Sequence, residues 1–126
     1  MDEVRAVVAA VRDYWDGWFD GDPARMERAL HPALSKRGVG LPTSDVTATM
    51  TAPDMVGWTR EGEGVRTRPA DPAYEIIVND VYHDIASVTV TSAIYREYLH
   101  LVRTPDGWRI LAATYTTVRE AGAAIG

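Results

Sequence analysis

The hydrophobic period of the chain changes once, near its middle, and this change restricts the fold more than any other feature. Up to Gly62, apolar residues recur at the three- and four-residue spacing of helices that bury one face. From Tyr74 onward, apolar and polar residues alternate in runs that end at turn sequences such as Pro105-Asp106-Gly107. Helices followed by strands predict an α+β fold, in which the helices cover a curved, mainly antiparallel sheet.

Three helices are predicted in the N-terminal half. The first covers residues 3–19, where valines and the bulky Trp15, Trp18 and Phe19 share one stripe. The second begins at Asp22-Pro23, because Asp is a good N-cap and Pro fits the first turn. It ends at His31-Pro32, since the residue before a proline disfavours helix.

The third helix is predicted to begin at the capping sequence Thr51-Ala52-Pro53-Asp54 and to end at Gly62. Residues 33–50 are predicted to be irregular, with a short strand near residues 46–50. Residues 63–72 contain Gly, Pro and several charges, which predicts a mobile loop that could serve as a lid.

Three strands are predicted in the C-terminal half: Tyr74–Tyr82, Ala86–Arg103 and Trp108–Arg119. The second changes phase, because Ala86, Val88 and Val90 share one parity whereas Leu99 and Leu101 share the other. Two explanations stay open. Either a β-bulge bends the strand, or its far half is buried on both faces, which would place a second subunit against the sheet.

Composition narrows the possible classes of function. With 126 residues, 46% of them apolar, we expect a single domain over residues 1–126 with a sizeable core. The absence of cysteine excludes disulfides and thiolate chemistry. The net charge of −5 and the scattered arginines disfavour nucleic acid as a partner. No apolar run is long enough to span a membrane and the acidic start is unlike a secretory signal, so we expect a cytoplasmic protein.

No metal or cofactor site is predicted, because the sequence has no His-rich cluster and no cysteine. Gly38-Val39-Gly40 lacks the downstream Lys-Ser/Thr of a phosphate-binding loop. Lys36 is the one lysine, so Schiff-base chemistry is restricted to this position. Lys36-Arg37 could hold an anionic group beside His31, and a solvated basic pair is the simpler interpretation.

The order of elements and several short motifs resemble the nuclear-transport-factor-2-like superfamily, also called SnoaL-like or cystatin-like cone proteins. The closer resemblance is to the branch named "Putative lumazine-binding". The motifs are Gly17-Trp18-Phe19-Asp20-Gly21-Asp22, Met26-Glu27-Arg28-Ala29-Leu30-His31-Pro32, Lys36-Arg37, Met50-Thr51-Ala52, Asp84-Ile85-Ala86-Ser87-Val88, Tyr98-Leu99-His100-Leu101-Val102 and Asp106-Gly107-Trp108-Arg109-Ile110. The resemblance implies a cone-shaped barrel with an interior pocket, pterin-like ligands and homodimers that pair through the sheet.

Three side chains are candidates for proton transfer in such a pocket. His31 ends the second predicted helix and could act as an acid or base near neutral pH. Alternatively, it has only a structural role and interacts favourably with the helix dipole. His100 shares its parity with Tyr98, so both line the pocket or both belong to a subunit interface. Asp80 interrupts an apolar alternation, either as a general base or as an exposed residue near a turn.

Aromatic side chains are candidates for the pocket wall. Aromatic residues at helical spacing usually belong to the core, but in a cone-shaped fold the core and the pocket wall share surface. Tyrosine hydroxyls would donate hydrogen bonds to a ligand. The candidates are Tyr14, Trp15, Trp18, Trp58, Tyr95, Tyr98 and Tyr115.

Together these features predict a protein that binds a small, flat, largely hydrophobic or aromatic molecule. Catalysis would be cofactor-free acid–base chemistry such as isomerisation, cyclisation or hydration. The alternative is a non-catalytic ligand carrier or a dimerisation module. If the protein is an enzyme, we expect an ionisable side chain in the cavity with a second polar group within hydrogen-bond reach. If it is a carrier, we expect no such pair.

Overall fold

The computed structural model describes residues 2–40 and 45–119, which form four helices and five strands. The helices are α1 (Asp2–Asp20), α2 (Pro23–Ala29), α3 (Ala52–Arg60) and α4 (Glu63–Arg66). The strands are β1 (Leu30–Val39), β2 (Tyr74–Tyr82), β3 (Ile85–Ser92), β4 (Tyr95–Thr104) and β5 (Gly107–Thr117). They form one sheet in the order β1-β5-β4-β3-β2, in which β1 runs parallel to β5 and all other neighbours are antiparallel.

The core lies between α1 and the inner face of the sheet. Val7 and Val11 on α1 are fully buried, as are Val88, Leu99 and Ile110 on the three central strands. This packing confirms the predicted α+β fold, with helices covering one face of a mainly antiparallel sheet. None of the helices in the two described stretches is long and apolar enough to cross a membrane.

The predicted starts of the second and third helices are confirmed by their caps. The Asp22 carboxylate accepts a hydrogen bond of 3.2 Å from the Arg25 amide at the start of α2. At the start of α3, the Thr51 hydroxyl accepts from the Asp54 amide and the Asp54 carboxylate accepts from the Thr51 amide. Each cap satisfies amides that lack a partner within the first turn.

The prediction that residues 33–50 are irregular is wrong for β1, which begins directly after α2. The amino acids of β1 show no local pattern that predicts a strand. The strand exists because its backbone pairs with β5, almost 80 residues later in the chain. The predicted strand near residues 46–50 is reduced to isolated bridges, from Val46 to Val39 and from Met50 to Lys36. Residues 41–44 of this segment lie outside the described residues.

The predicted long strand over Ala86–Arg103 is two strands, β3 and β4, joined by a turn at Ala93-Ile94. The turn accounts for the change of phase, because it starts a new alternation. Inward residues are even-numbered in β3 and odd-numbered in β4. Neither a bulge within one strand nor burial on both faces is needed to account for the pattern.

Residues 63–66 form α4 rather than the beginning of a loop. The helix packs against α1 at Gly64, where an added Cβ would lie 2.1 Å from the carbonyl oxygen of Trp18. Glycine at this position therefore allows the close approach of the two backbones. The approach fixes α4 beside Trp18, at one end of an interior cavity.

Candidate ligand-binding site

A cavity of about 440 Å³ lies between the helices and the inner face of the sheet. Small-molecule sites typically measure roughly 300–1,000 Å³. The exposed Trp58 and Glu61 mark the open end, and the buried Tyr14 and Glu97 lie at the deep end. Its wall consists of Tyr14, Trp15, Trp18, Phe19, Lys36, Met50, Met55, Trp58, Glu61, Glu63, Tyr95, Glu97 and Tyr115.

Three polar side chains form a connected group at the deep end. The Tyr14 hydroxyl donates a hydrogen bond of 2.9 Å to Oε2 of Glu97. Lys36 Nζ donates to the same Tyr14 hydroxyl and lies 3.4 Å from Oε2 of Glu97. Glu97 is only 2% exposed, and the Lys36 side chain is 11% exposed. The three residues, called here the polar triad, therefore place a charged pair in largely apolar surroundings.

Aromatic rings enclose the ammonium group of Lys36. Nζ lies 5.0 Å from the ring centroid of Tyr14 and 4.8 Å from that of Tyr115. These distances are within the range of cation–π attraction. Tyr115 is in turn held edge-to-face against Tyr95, with centroids 5.6 Å apart. A cation surrounded in this way is shielded from bulk water.

Burial and the nearby Glu97 carboxylate raise the pKa of Tyr14 well above its usual value. Burial also raises the pKa of Tyr115, with smaller contributions from Tyr95 and Glu97. On β2, outside the cavity wall, burial and the hydrogen bond to Asp16 raise the pKa of Tyr74 to about 12. The raised pKa values of Tyr14 and Tyr115 keep these two cavity hydroxyls protonated at neutral pH.

Stability is expected to fall as the pH rises above about 10, the pKa of an unfolded tyrosine. Because the folded pKa of Tyr14 is higher, only the unfolded chain releases this proton there, and the free energy of unfolding falls by up to about 1.4 kcal/mol per pH unit. Below pH 10 the stabilising contribution of the buried, protonated Tyr14 hydroxyl is fully present. Urea unfolding between pH 8 and 11.5 should show a shallower decline for Tyr14→Phe, whereas Tyr82→Phe, at an exposed tyrosine, should keep the wild-type slope. Equal slopes for all three proteins would contradict the assignment.

The structure brings six of the predicted ligand-binding residues to this one cavity. Three come from α1, one from α3, one from β4 and one from β5. Those six are Tyr14, Trp15, Trp18, Trp58, Tyr95 and Tyr115.

The other predicted residues lie outside the cavity. Tyr98 and His100 are even-numbered in β4, so they point to the outer face of the sheet and are exposed. Asp80 is exposed and pairs across β2 and β3 with Ser87, also on the outer face. His31 lies at the start of β1, where its Nδ1 accepts a hydrogen bond from the Ala33 amide. The strand alternation therefore separates the three predicted acid–base residues from the aromatic wall.

Sequence reasoning missed Glu97 and assigned Lys36 to a solvated pair. A signal for Glu97 was present, because it has the same parity as Leu99 and Leu101 and so interrupts the apolar face of β4. The direction of Lys36 had no comparable signal, since β1 itself was not predicted. Within residues 2–40 and 45–119, no cluster of His, Asp and Glu is arranged to hold a metal ion.

The family model described as "Putative lumazine-binding" matches residues 2–116. The chain belongs to this family. The resemblance inferred from the motifs, to the nuclear-transport-factor-2-like (NTF2-like) superfamily and to its lumazine-binding branch, is thereby confirmed. No protein of curated function matches the chain.

Crystal structures similar to this lumazine-binding family member have the same fold at low sequence identity. An NTF2-like protein of unknown function from Silicibacter pomeroyi DSS-3 is 17% identical with a TM-score of 0.69, over 93% of this chain and 97% of that one. A cystatin-like fold protein from Burkholderia xenovorans LB400 is 21% identical with a TM-score of 0.63, over 94% of both chains. A ketosteroid isomerase-like protein from Erwinia carotovora atroseptica SCRI1043 is 18% identical with a TM-score of 0.64, over 94% and 98%. These similarities show the fold alone.

Proposed function

We propose that the protein binds a small, flat, largely apolar molecule in the cavity, with an acceptor oxygen of that molecule directed at Lys36. The supporting observation is the position of the polar triad at the deep end of a wall that, apart from Glu61 and Glu63, is otherwise aromatic and methionine-lined. Such a site binds a ring system by apolar contact and orients it with a few polar groups. Lumazine, named in the family description, is a flat bicyclic ring with carbonyl oxygens and has this character.

Lys36 has the donor capacity that this proposal needs. An ammonium group carries three N–H donors. One is directed at the Tyr14 hydroxyl and one faces the Glu97 carboxylate. Because Lys36 is part of the cavity wall, the third donor is available to a carbonyl, phenolate or carboxylate oxygen of the ligand.

The triad also favours a second function, cofactor-free proton transfer. A buried carboxylate hydrogen-bonded to a phenol meets the requirement of an ionisable group with a second polar group in reach. Glu97 would accept a proton from the ligand and Tyr14 would donate a hydrogen bond, in place of the predicted His31, His100 and Asp80. Deuterium exchange at the acidic C–H of a bound ketone, followed by NMR, tests this role. If the rate of deuterium exchange is the same in Glu97→Gln as in the wild type, Glu97 is not the proton acceptor and this second function is refuted.

Binding can be measured through the tryptophans, because Trp15, Trp18 and Trp58 all line the cavity. Lumazine and 2-naphthol are expected to quench their fluorescence and to raise the melting temperature. If neither compound changes either signal, the binding proposal fails.

Gly38→Ala is expected to weaken this binding at least about tenfold, equivalent to about 1.4 kcal/mol. An added Cβ would lie 2.5 Å from Cζ of Tyr115, so the ring must move towards the cavity. Gly40→Ala is the matched control, because an added Cβ there meets nothing within 4 Å. Equal affinities for both variants would show that the ligand lies elsewhere.

We further propose that two copies pair through the outer face of the sheet. Ile77, Ile85 and Tyr98 are roughly half exposed there, and Ile77 and Tyr98 flank Thr89 on neighbouring strands. Tyr98→Lys is expected to shift a dimer to a monomer in analytical ultracentrifugation. Val4→Lys, at an exposed apolar residue of α1, should leave the dimer intact. A wild-type monomer at micromolar concentration would refute pairing.

A further inference from the structure

We propose that Lys36 forms a reversible imine with an aldehyde or ketone group of the molecule that occupies the cavity. The inference rests on the proposed function, because the carbonyl compound must first bind beside Lys36. It assigns a covalent step and a substrate class, a flat aromatic or polyunsaturated carbonyl compound, to the same site.

Lys36 is placed in the wall of the cavity rather than on the outer surface of the protein. Its side chain is largely buried between the rings of Tyr14 and Tyr115 and forms part of the cavity wall. Proteins use lysines that face a ligand pocket as imine-forming nucleophiles when a neighbouring group can accept the ammonium proton. A carbonyl carbon on a ligand that fills the deep end would therefore meet Nζ without intervening water.

The choice of lysine at this position is itself informative. The chain has 13 Lys and Arg residues, and Lys36 is the only lysine among them. For an ion pair with Glu97 alone, arginine offers two parallel hydrogen bonds and a permanent charge. Lysine instead offers a nitrogen that can give up its proton and use the lone pair to form a bond.

The triad supplies the proton transfers that imine formation requires. Oε2 of Glu97, 3.4 Å away, takes one proton from the ammonium. The amine lone pair then attacks the carbonyl carbon, a C–N bond forms, and the C=O π electrons move to oxygen. A proton passes from nitrogen to that oxygen to give the carbinolamine. Glu97 returns its proton to the hydroxyl, the C–O bond breaks, water leaves, and a protonated imine remains.

Tyr14 connects the two partners during these transfers. Its hydroxyl accepts from Nζ of Lys36 and donates to Oε2 of Glu97, so it can relay a proton between the nitrogen and the Glu97 carboxylate. Burial keeps this hydroxyl protonated at neutral pH. The net change is ammonium plus carbonyl giving iminium plus one water, and no oxidant or reductant takes part.

The test is reductive trapping of 2-naphthaldehyde with cyanoborohydride, followed by tandem mass spectrometry of digested protein. The variant Arg37→Lys places an exposed lysine next to Lys36 in the same folded molecule. We expect Lys36 to be labelled at least about tenfold faster than the introduced lysine and than the terminal amine. Tyr14→Phe is expected to reduce the rate of labelling at Lys36 and to leave that of the introduced lysine unchanged.

Binding without reaction is measured separately with 2-methylnaphthalene, which has no carbonyl group. If this compound quenches the cavity tryptophans but Lys36 reacts no faster than the introduced lysine, the imine proposal is overturned and the binding proposal stands. If neither 2-methylnaphthalene nor 2-naphthol binds and Lys36 shows no preferential labelling, both proposals fail. Preferential labelling of Lys36 that 2-methylnaphthalene suppresses by competition supports both.

Discussion

Glu97→Gln should lower the free energy of unfolding by about 3 kcal/mol, although the side chain keeps its size and can still accept from Tyr14. The substitution removes the negative charge that lies 3.4 Å from Lys36 Nζ. It leaves a largely buried ammonium without a counter-charge, and removing one partner of a buried pair is strongly destabilising. Urea unfolding monitored by far-UV circular dichroism measures the loss.

Two companion variants separate this effect from a loss of packing. Lys36→Met/Glu97→Gln removes both charges and is expected to recover most of the lost stability, because no unpaired charge stays buried. Asp20→Asn breaks the exposed pair with Arg68, whose atoms are 3.2 Å apart, and should change stability far less. If Glu97→Gln costs no more than Asp20→Asn, the Lys36–Glu97 pair is hydrated and the deep end of the cavity is not shielded from water.

Gly64→Ala should destabilise the protein by about 2–3 kcal/mol, because the new methyl group has no room. Its Cβ would lie 2.1 Å from the carbonyl oxygen of Trp18 and 2.7 Å from the carbonyl carbon. Both atoms belong to the backbone of a long helix, so α4 has to move away from α1. Trp18 lines the cavity, and we therefore also expect weaker binding of 2-naphthol.

Gly57→Ala is the matched control and should raise the free energy of unfolding, whereas Gly64→Ala should lower it. Gly57 lies within α3, and an added Cβ there meets nothing within 4 Å. Alanine stabilises a helix interior by roughly 0.5–1 kcal/mol relative to glycine. Thermal and urea unfolding of the two variants should therefore move in opposite directions. A neutral Gly64→Ala would mean that α4 is not held against α1.

Local patterns determined the parts of this fold that depend on neighbours in the chain. The stripe of α1, the caps at Asp22 and Thr51, and the alternation of β2 involve residues within one or two turns or one strand of each other. The family resemblance added the packing of helices on a sheet and the interior pocket. The aromatic wall followed from these two sources together, since most of its residues lie on predicted elements.

Tertiary structure decided how the polar end of the cavity is assembled. β1 is a strand only because β5 offers its backbone a partner, so nothing near Lys36 in the sequence indicated that its side chain points inward. The Ala93-Ile94 turn reset the alternation, and the new parity directed Glu97 inward and His100 outward. Residues 14, 36 and 97 come from three different elements and meet only when the helix covers the sheet. Propensity and periodicity act over a few residues, whereas a buried charged pair is made by the packing of distant segments.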